Sequence, residues 1–263
     1  AEAPMMGSDG TSLTAIKLFE AQVIPALLFN CESWIDISES HINDLQGFQD
    51  NFLRKLMHLP ISTPKAILHW DGSMQGMRWR IAVRKLQFLR KLMKKEITNI
   101  CRRAVANETI MGVKGLGHEC MVIAKQVGLP DLRYNEVSKG EIKRAVLKHS
   151  SEVTKKEVED SRKVGDRSEG DKNHNNYLSF MSLSNCRIWM RVRARSIKGV
   201  KVNNKRSFVN LSCRYCATDT EESQEHLETC NGCKFERRNL NMSSLMGRVN
   251  FWRRMTTKLG ARN

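Results

Sequence analysis

The sequence predicts a mainly α protein, with a helical bundle over residues 1–149, a charged linker over 150–176 and a small Cys/His-rich domain over 177–263. Three observations lead there. Apolar residues recur at helical spacing through the first half. The stretch "SSEVTKKEVEDSRKVGDRSEGDKNHNN" carries charges of both signs and almost no large apolar side chain. Beyond it, cysteines and a histidine gather within a few turns of chain. The length of 263 residues allows one large domain or two modest ones. A hydrophobic content of 40% supports a core, although the aromatic content of 6% is thin. No apolar run approaches the roughly 18 residues that a membrane span needs. The longest, "VIPALLF", also contains Pro25.

The first helix is expected over 11–30, kinked or ended by Pro25, which lacks an N–H and clashes with the preceding turn. A second follows Ser38 as N-cap, with Leu45, Phe48, Phe52 and Leu56 at helical spacing and Leu53 and Met57 widening the stripe. Pro60 closes it. "STPKAILHW" reads as a short third helix, capped by Ser62 or Thr63 with Pro64 at its first position.

The fourth helix, Met77 to Lys95, carries eight positive residues and no acidic one. At about 100° per residue, Ile81, Ala82, Leu86, Phe88, Leu89, Leu92 and Met93 fall on one half of its circumference. Arg80, Arg84, Arg90, Lys91 and Lys94 fall on the other. Residues 150–176 lack the apolar surface to offset ordering entropy and read as a flexible linker, or as a solvated helix fraying into one. The last part opens on another basic helix, "YLSFMSLSNCRIWMRVRARSIKG". There Arg187, Arg191, Arg195 and Lys198 form one stripe, with Ile188 and Trp189 assigned to the core. Four cations on one stripe repel, so an anionic group or solvent screening is expected against them.

The net charge of +16 attracts polyanions, nucleic acid foremost. An anionic membrane surface and a merely solvated basic exterior have the same charge signature. The N-terminal "AEAPMMGSDG" has no basic segment followed by an apolar one, so an intracellular location, nuclear or cytoplasmic, is expected. In that compartment the eight cysteines read as thiols or metal ligands.

Cys213, Cys216, His226 and Cys230 have the spacing Cys-x2-Cys-x9-His-x3-Cys. Two cysteines two apart can wrap one ion through a tight turn whose backbone N–H groups face the thiolates. The segment after it reads as a short helix capped by Asp219 or Thr220, with Glu221 and Glu222 in its first turn. On that helix His226 and Cys230 are i and i+4 and point the same way. Three thiolates and an imidazole suit one tetrahedral zinc ion per chain, closed and therefore structural. A redox Cys-x-x-Cys would need a βαβ context that the sequence lacks. Cys233, in "CNGC", could replace Cys230 or add a ligand. Cys31, Cys101, Cys120 and Cys186 read as small buried apolar residues.

Two stretches resemble a known family. "PMMG…KLFEAQVIPALLFNCESW" and "LQGFQDNFLRKLMHLPISTPKAILHWDGSMQGMRWRIAVRKLQFLRKL" are similar to the region just after the palm in reverse transcriptases of non-LTR (LINE-type) retrotransposons. Pro25, Glu32, Trp34, Pro64 and Leu86 stand where that pattern has them. "CRYC…HLETC", followed by the basic "FERR", resembles its terminal Cys-Cys-His-Cys knuckle. The resemblance covers roughly residues 4–105 and 177–240, and its ordered combination carries more weight than any single motif. It implies a thumb-like helical bundle that grips template–primer duplex, and a zinc knuckle region that engages RNA or target.

The Tyr-x-Asp-Asp of the palm, its other carboxylates and a nucleotide-binding loop are absent from these residues. Polymerase chemistry needs metal ions held by carboxylates, so no enzymatic activity is expected. The expected function is binding of RNA or an RNA/DNA duplex through phosphate contacts, by a fragment derived from such an element. A protein-interaction module with an acidic partner is one alternative. An accessory part of a reverse transcriptase whose palm lies on another chain is the other.

Overall fold

The computed structural model describes residues 12–72, 74–111, 113–160, 177–194, 196–197, 213, 215–216 and 223–260. Among these the fold is mainly α, with no β-strand. Contacts divide the chain into two compact units. One comprises Ile16–Leu53 and Gly72–Asp160; the other comprises Ala1–Ala15, Arg54–Asp71 and Ser161–Asn263. The later division falls after Asp160, at the end of a helix that runs through residue 149, and short early segments group with the C-terminal part.

In the first unit, which takes α1 (Ser12–Leu18) from Ile16 onward, α1 continues through a π turn (Phe19–Val23) into α2 (Ile24–Leu27). The run passes through Pro25 without ending there. The turn ahead of the ring widens, and the N–H of Ile24 reaches back five residues to the Phe19 carbonyl. α3 (Glu39–Met57), which belongs to this unit as far as Leu53, starts from Ser38, whose hydroxyl accepts from the His41 N–H at 3.3 Å, as the sequence indicates. Its buried line differs from the expected stripe. Ile42, Gln49, Asp50, Leu53 and Met57 are buried, whereas Phe48 is exposed and Leu45, Phe52 and Leu56 are half-buried.

The reason lies at the start of α5 (Met77–Met93). Gln46 Oε1 accepts from the Met77 N–H at 2.9 Å, and Gln49 Nε2 donates to the Gln75 carbonyl at 3.3 Å. These polar side chains satisfy backbone groups that would otherwise be orphaned, and so turn α3 about its axis. Phe52 instead stacks on Phe19 with ring centroids 3.9 Å apart.

α5 packs against α6 (Ile100–Met111), α7 (Leu116–Gln126) and α8 (Lys139–Asp160). Their shared core holds Trp79, Ala82, Leu86, Leu89, Val105, Leu116, Cys120, Ile142 and Val146. Burial of each large side chain here contributes about 1.5–3 kcal/mol. α7 is capped from α6, with Glu108 accepting from the Gly117 N–H at 2.6 Å. α8 opens with a reciprocal capping box. The Ser138 N–H donates to Glu141 at 2.7 Å and the Glu141 N–H to the Ser138 hydroxyl at 3.1 Å. Those bonds hold the Glu141 carboxyl below its usual range. α8 carries the chain helically to residue 160, with Ser150 and Val158 buried, so the first part of the expected linker is helix. The rest, 161–176, lies outside the described residues.

In the second unit, α4 (Lys65–Asp71) follows Pro64. The expected single helix from Tyr177 is two: α9 (Tyr177–Phe180) and, after a bend at Met181 and Ser182, α10 (Leu183–Arg193). Arg193 Nε donates to Asp71 Oδ2 at 2.7 Å, and both side chains are buried. Burial raises the Asp71 carboxyl to about 6 against the opposing pull of Arg193, and the Tyr177 hydroxyl faces the same group. The remaining helices are α11 (Gln224–Thr229), α12 (Lys234–Arg237) and α13 (Leu245–Gly260). α13 packs on α10 and buries Phe251, Trp252 and Met255 completely.

Candidate metal centre and basic helices

The Cys213–Cys216 turn and α11 come together as the spacing predicts. The ligand atoms of Cys213, Cys216, His226 and Cys230 all lie within 4.8 Å of one another. Cys213 Sγ is 3.7 Å from Cys230 Sγ, and Cys216 Sγ is 3.3 Å from His226 Nε2. Two sulfurs each bonded to one tetrahedral zinc at ~2.3 Å stand ~3.8 Å apart, and a sulfur and an imidazole nitrogen ~3.6 Å apart. The donor set and its spacing therefore fit a four-coordinate soft or borderline cation. The Tyr215 N–H points at Cys213 Sγ at 3.4 Å, and the Gly232 N–H faces the Cys230 sulfur. Burial pushes the Cys213 thiol up to about 11 and raises that of Cys230, so a bound cation is the natural counter-charge for the thiolate forms.

α11 begins later than expected. Ser223, rather than Asp219 or Thr220, is its N-cap, with its hydroxyl accepting from the His226 N–H at 3.0 Å. Asp219, Thr220, Glu221 and Glu222 lie outside the described residues. Cys230 is the residue that ends the helix, leaving it in extended conformation.

Both flanks of α11 are fixed. Leu227 is fully buried, and Gln224 Nε2 donates to the Val192 carbonyl of α10 at 2.9 Å. Glu228 accepts from Trp252 Nε1 at 2.7 Å and Arg248 at 3.0 Å, both on α13. Lys258 of α13 sits 4.9 Å from the Tyr215 ring centre. Helix α13 and these contacts carried no ligand-like signal in the sequence; its periodic apolar residues Val249, Trp252, Met255 and Leu259 were the available clue.

Of the loop "CNGC", Cys230 joins the cluster, and Gly232 and Cys233 lie behind it. Cys233 is fully buried and falls outside the four-atom cluster. Gly232 presses on the first turn, and a Cβ there would overlap the Tyr215 carbonyl. All eight cysteines are free. Cys31, Cys120 and Cys186 are buried as expected, but Cys101 is exposed because α6 turns that position outward.

Among the described residues, the arginines of the basic stripes are engaged inside the protein. Arg80 pairs with Glu20 and donates to the Gln75 carbonyl at 2.8 Å. Arg84 donates to the Leu28 carbonyl at 2.7 Å, and Arg90 to that of Val137 at 2.6 Å. Lys91 is exposed, and exposed Lys94 lies 3.4 Å from Glu136. Lys85, not singled out in the sequence, is buried against Glu119. Arg187 donates to the Leu56 carbonyl at 2.9 Å and Arg191 to that of His58 at 2.8 Å. α10 ends at Arg193, and Arg195 and Lys198 lie outside the described residues. No described helix is long and apolar enough to cross a membrane. No family model, curated protein or solved structure matches the chain.

Proposed function

We propose that the chain is a non-catalytic nucleic-acid-binding protein built around one structural zinc ion, derived from the thumb and knuckle region of a non-LTR retrotransposon reverse transcriptase. The observation that carries the zinc assignment is the convergence of Cys213, Cys216, His226 and Cys230 within 4.8 Å. With four protein ligands the ion keeps no open position for water or substrate. Its contribution is to clamp the Cys213–Cys216 turn onto α11, which α10 and α13 already hold in place.

Nucleic acid is favoured as partner by the charge of +16, which draws a polyphosphate from beyond contact distance. RNA or an RNA/DNA duplex is the proposed ligand, held through phosphates with little base preference. Of the expected contacts among the described residues, Lys91 and Lys94 are the solvent-facing cations, whereas Arg80, Arg84, Arg90, Arg187 and Arg191 have internal partners to maintain.

The test is binding of the zinc-loaded chain to unrelated RNA sequences over a range of salt. Affinity should fall log-linearly with salt and vary little between sequences. Lys91→Gln with Lys94→Gln should make the slope shallower by up to about 0.7 per lost contact on single strands. Binding that ignores salt, or selective binding of an acidic polypeptide over RNA at matched salt, would contradict the proposal.

A further inference from the structure

Immediately after the metal-ligand loop, the short helix α12 turns an aromatic ring to solvent. Phe235 is 76% exposed and, with Lys234, Arg237 and Arg238, lines an open surface recess of about 560 Å³. An isolated exposed phenylalanine needs no explanation. This one is framed by three cations, and the backbone that presents it is held in place. Arg254 Nη1 donates to the carbonyls of Glu236 and Arg238, each at 3.0 Å. The Glu236 side chain is turned inward and paired with Lys258. Arg237 donates to the Leu227 carbonyl at 3.4 Å, which ties the recess to α11. Lys234 and Arg238 are exposed and have no carboxylate partner among the described residues.

We propose that this recess is a single-strand nucleic-acid subsite, in which one unpaired base stacks on the Phe235 ring and the flanking phosphates meet Lys234 and Arg238. A base offers a π-face whatever its identity, so an exposed ring beside unpaired cations is a sequence-tolerant stacking platform. A paired base has both faces covered by its neighbours, so duplex cannot use the ring in this way. A membrane surface or an apolar peptide would need a broader apolar patch than one ring. The inference rests on the nucleic-acid reading above and adds to it a preferred strand state and a location beside the metal centre.

The experiment uses the full zinc-loaded chain and a short single-stranded RNA carrying the fluorescent base 2-aminopurine, with the same strand as duplex and a single-stranded DNA of the same sequence. Binding of the single strand should quench the base, as stacking on an aromatic ring does. Phe235→Ala should abolish the quench and weaken single-strand binding about 5- to 150-fold, with zinc content and duplex affinity unchanged. Phe235→Trp should restore both. Lys234→Gln with Arg238→Gln should weaken binding and make the salt dependence shallower.

Wild-type protein that binds single strands while Phe235→Ala binds and quenches equally well would remove the subsite and leave the general nucleic-acid reading standing. Wild-type protein that binds neither single strand nor duplex would overturn both. Phe235-dependent capture of polyglutamate, without RNA binding, would assign the recess to an acidic protein. Equal affinity for RNA and DNA strands is the expected result, because neither stacking nor phosphate contact reads the 2′-hydroxyl.

Discussion

Arg191 of α10 donates from both Nε and Nη2 to the carbonyl oxygen of His58, at 3.1 and 2.8 Å. That carbonyl belongs to the end of α3. His58 takes a left-handed backbone with φ of 51°, and the Leu59 N–H reaches back to the Arg54 carbonyl at 2.9 Å. The His58 N–H bonds to the Lys55 carbonyl at 3.3 Å, which completes a Schellman closure. The closure leaves the Leu56 and His58 carbonyls, and Arg187 and Arg191 take one each. The anionic group expected against the stripe is thus the negative end of a helix, within the same unit.

Replacing Arg187 and Arg191 together by Gln should therefore lower stability by about 1–4 kcal/mol, the loss of two charge-assisted bonds at a helix C-terminus. Urea denaturation reads this directly. Unchanged stability with lost RNA binding would return both arginines to the phosphate surface.

The buried Asp71–Arg193 pair predicts a pH effect of definite sign. Burial raises the Asp71 carboxyl from its unfolded value near 3.8 to about 6, so the folded state holds that proton more tightly. The group's contribution is fully present below about pH 4 and is lost as pH rises through about 6, a change of about 3 kcal/mol at most. The difference in stability between wild type and Asp71→Asn should shift in that window and flatten above it. Arg193→Ala leaves the carboxylate buried without its cation and should cost about 3–5 kcal/mol at neutral pH.

Gly232 gives a test of the support beneath the candidate metal ligands. Gly232→Ala places a methyl into the Tyr215 carbonyl, so the Cys213–Cys216 turn must move. Zinc affinity measured by chelator competition should fall about 10- to 100-fold, the usual effect of disturbing the groups behind a ligand. Gly47→Ala is the contrasting substitution. It lies inside α3 with no atom near the added carbon, and should stabilise by about 0.5–1 kcal/mol.

The Cys/His cluster was legible in the sequence because holding a soft or borderline cation constrains both residue type and spacing, and a turn plus a short helix can bring Cys213, Cys216, His226 and Cys230 together with little help from the rest of the chain. Helices were legible where a local signal marks them, as at Ser38 for α3 and along the apolar face of α5. The buried side of α3 was not, because Gln46 and Gln49 serve the backbone of a turn more than twenty residues away. The fate of the arginines was hidden for the same reason. A periodic row of cations reads identically whether its partner is a phosphate or the carbonyl of a helix end 131 residues earlier, as for Arg187 and Leu56.

The most direct measurement of the central assignment is metal stoichiometry on purified protein by elemental analysis. Close to one zinc per chain is expected, lost in Cys216→Ser and in His226→Ala, with unfolding of the part that contains α11, and retained in Cys233→Ser. A metal-free wild-type chain that is fully folded, or full zinc in both ligand variants, would contradict it.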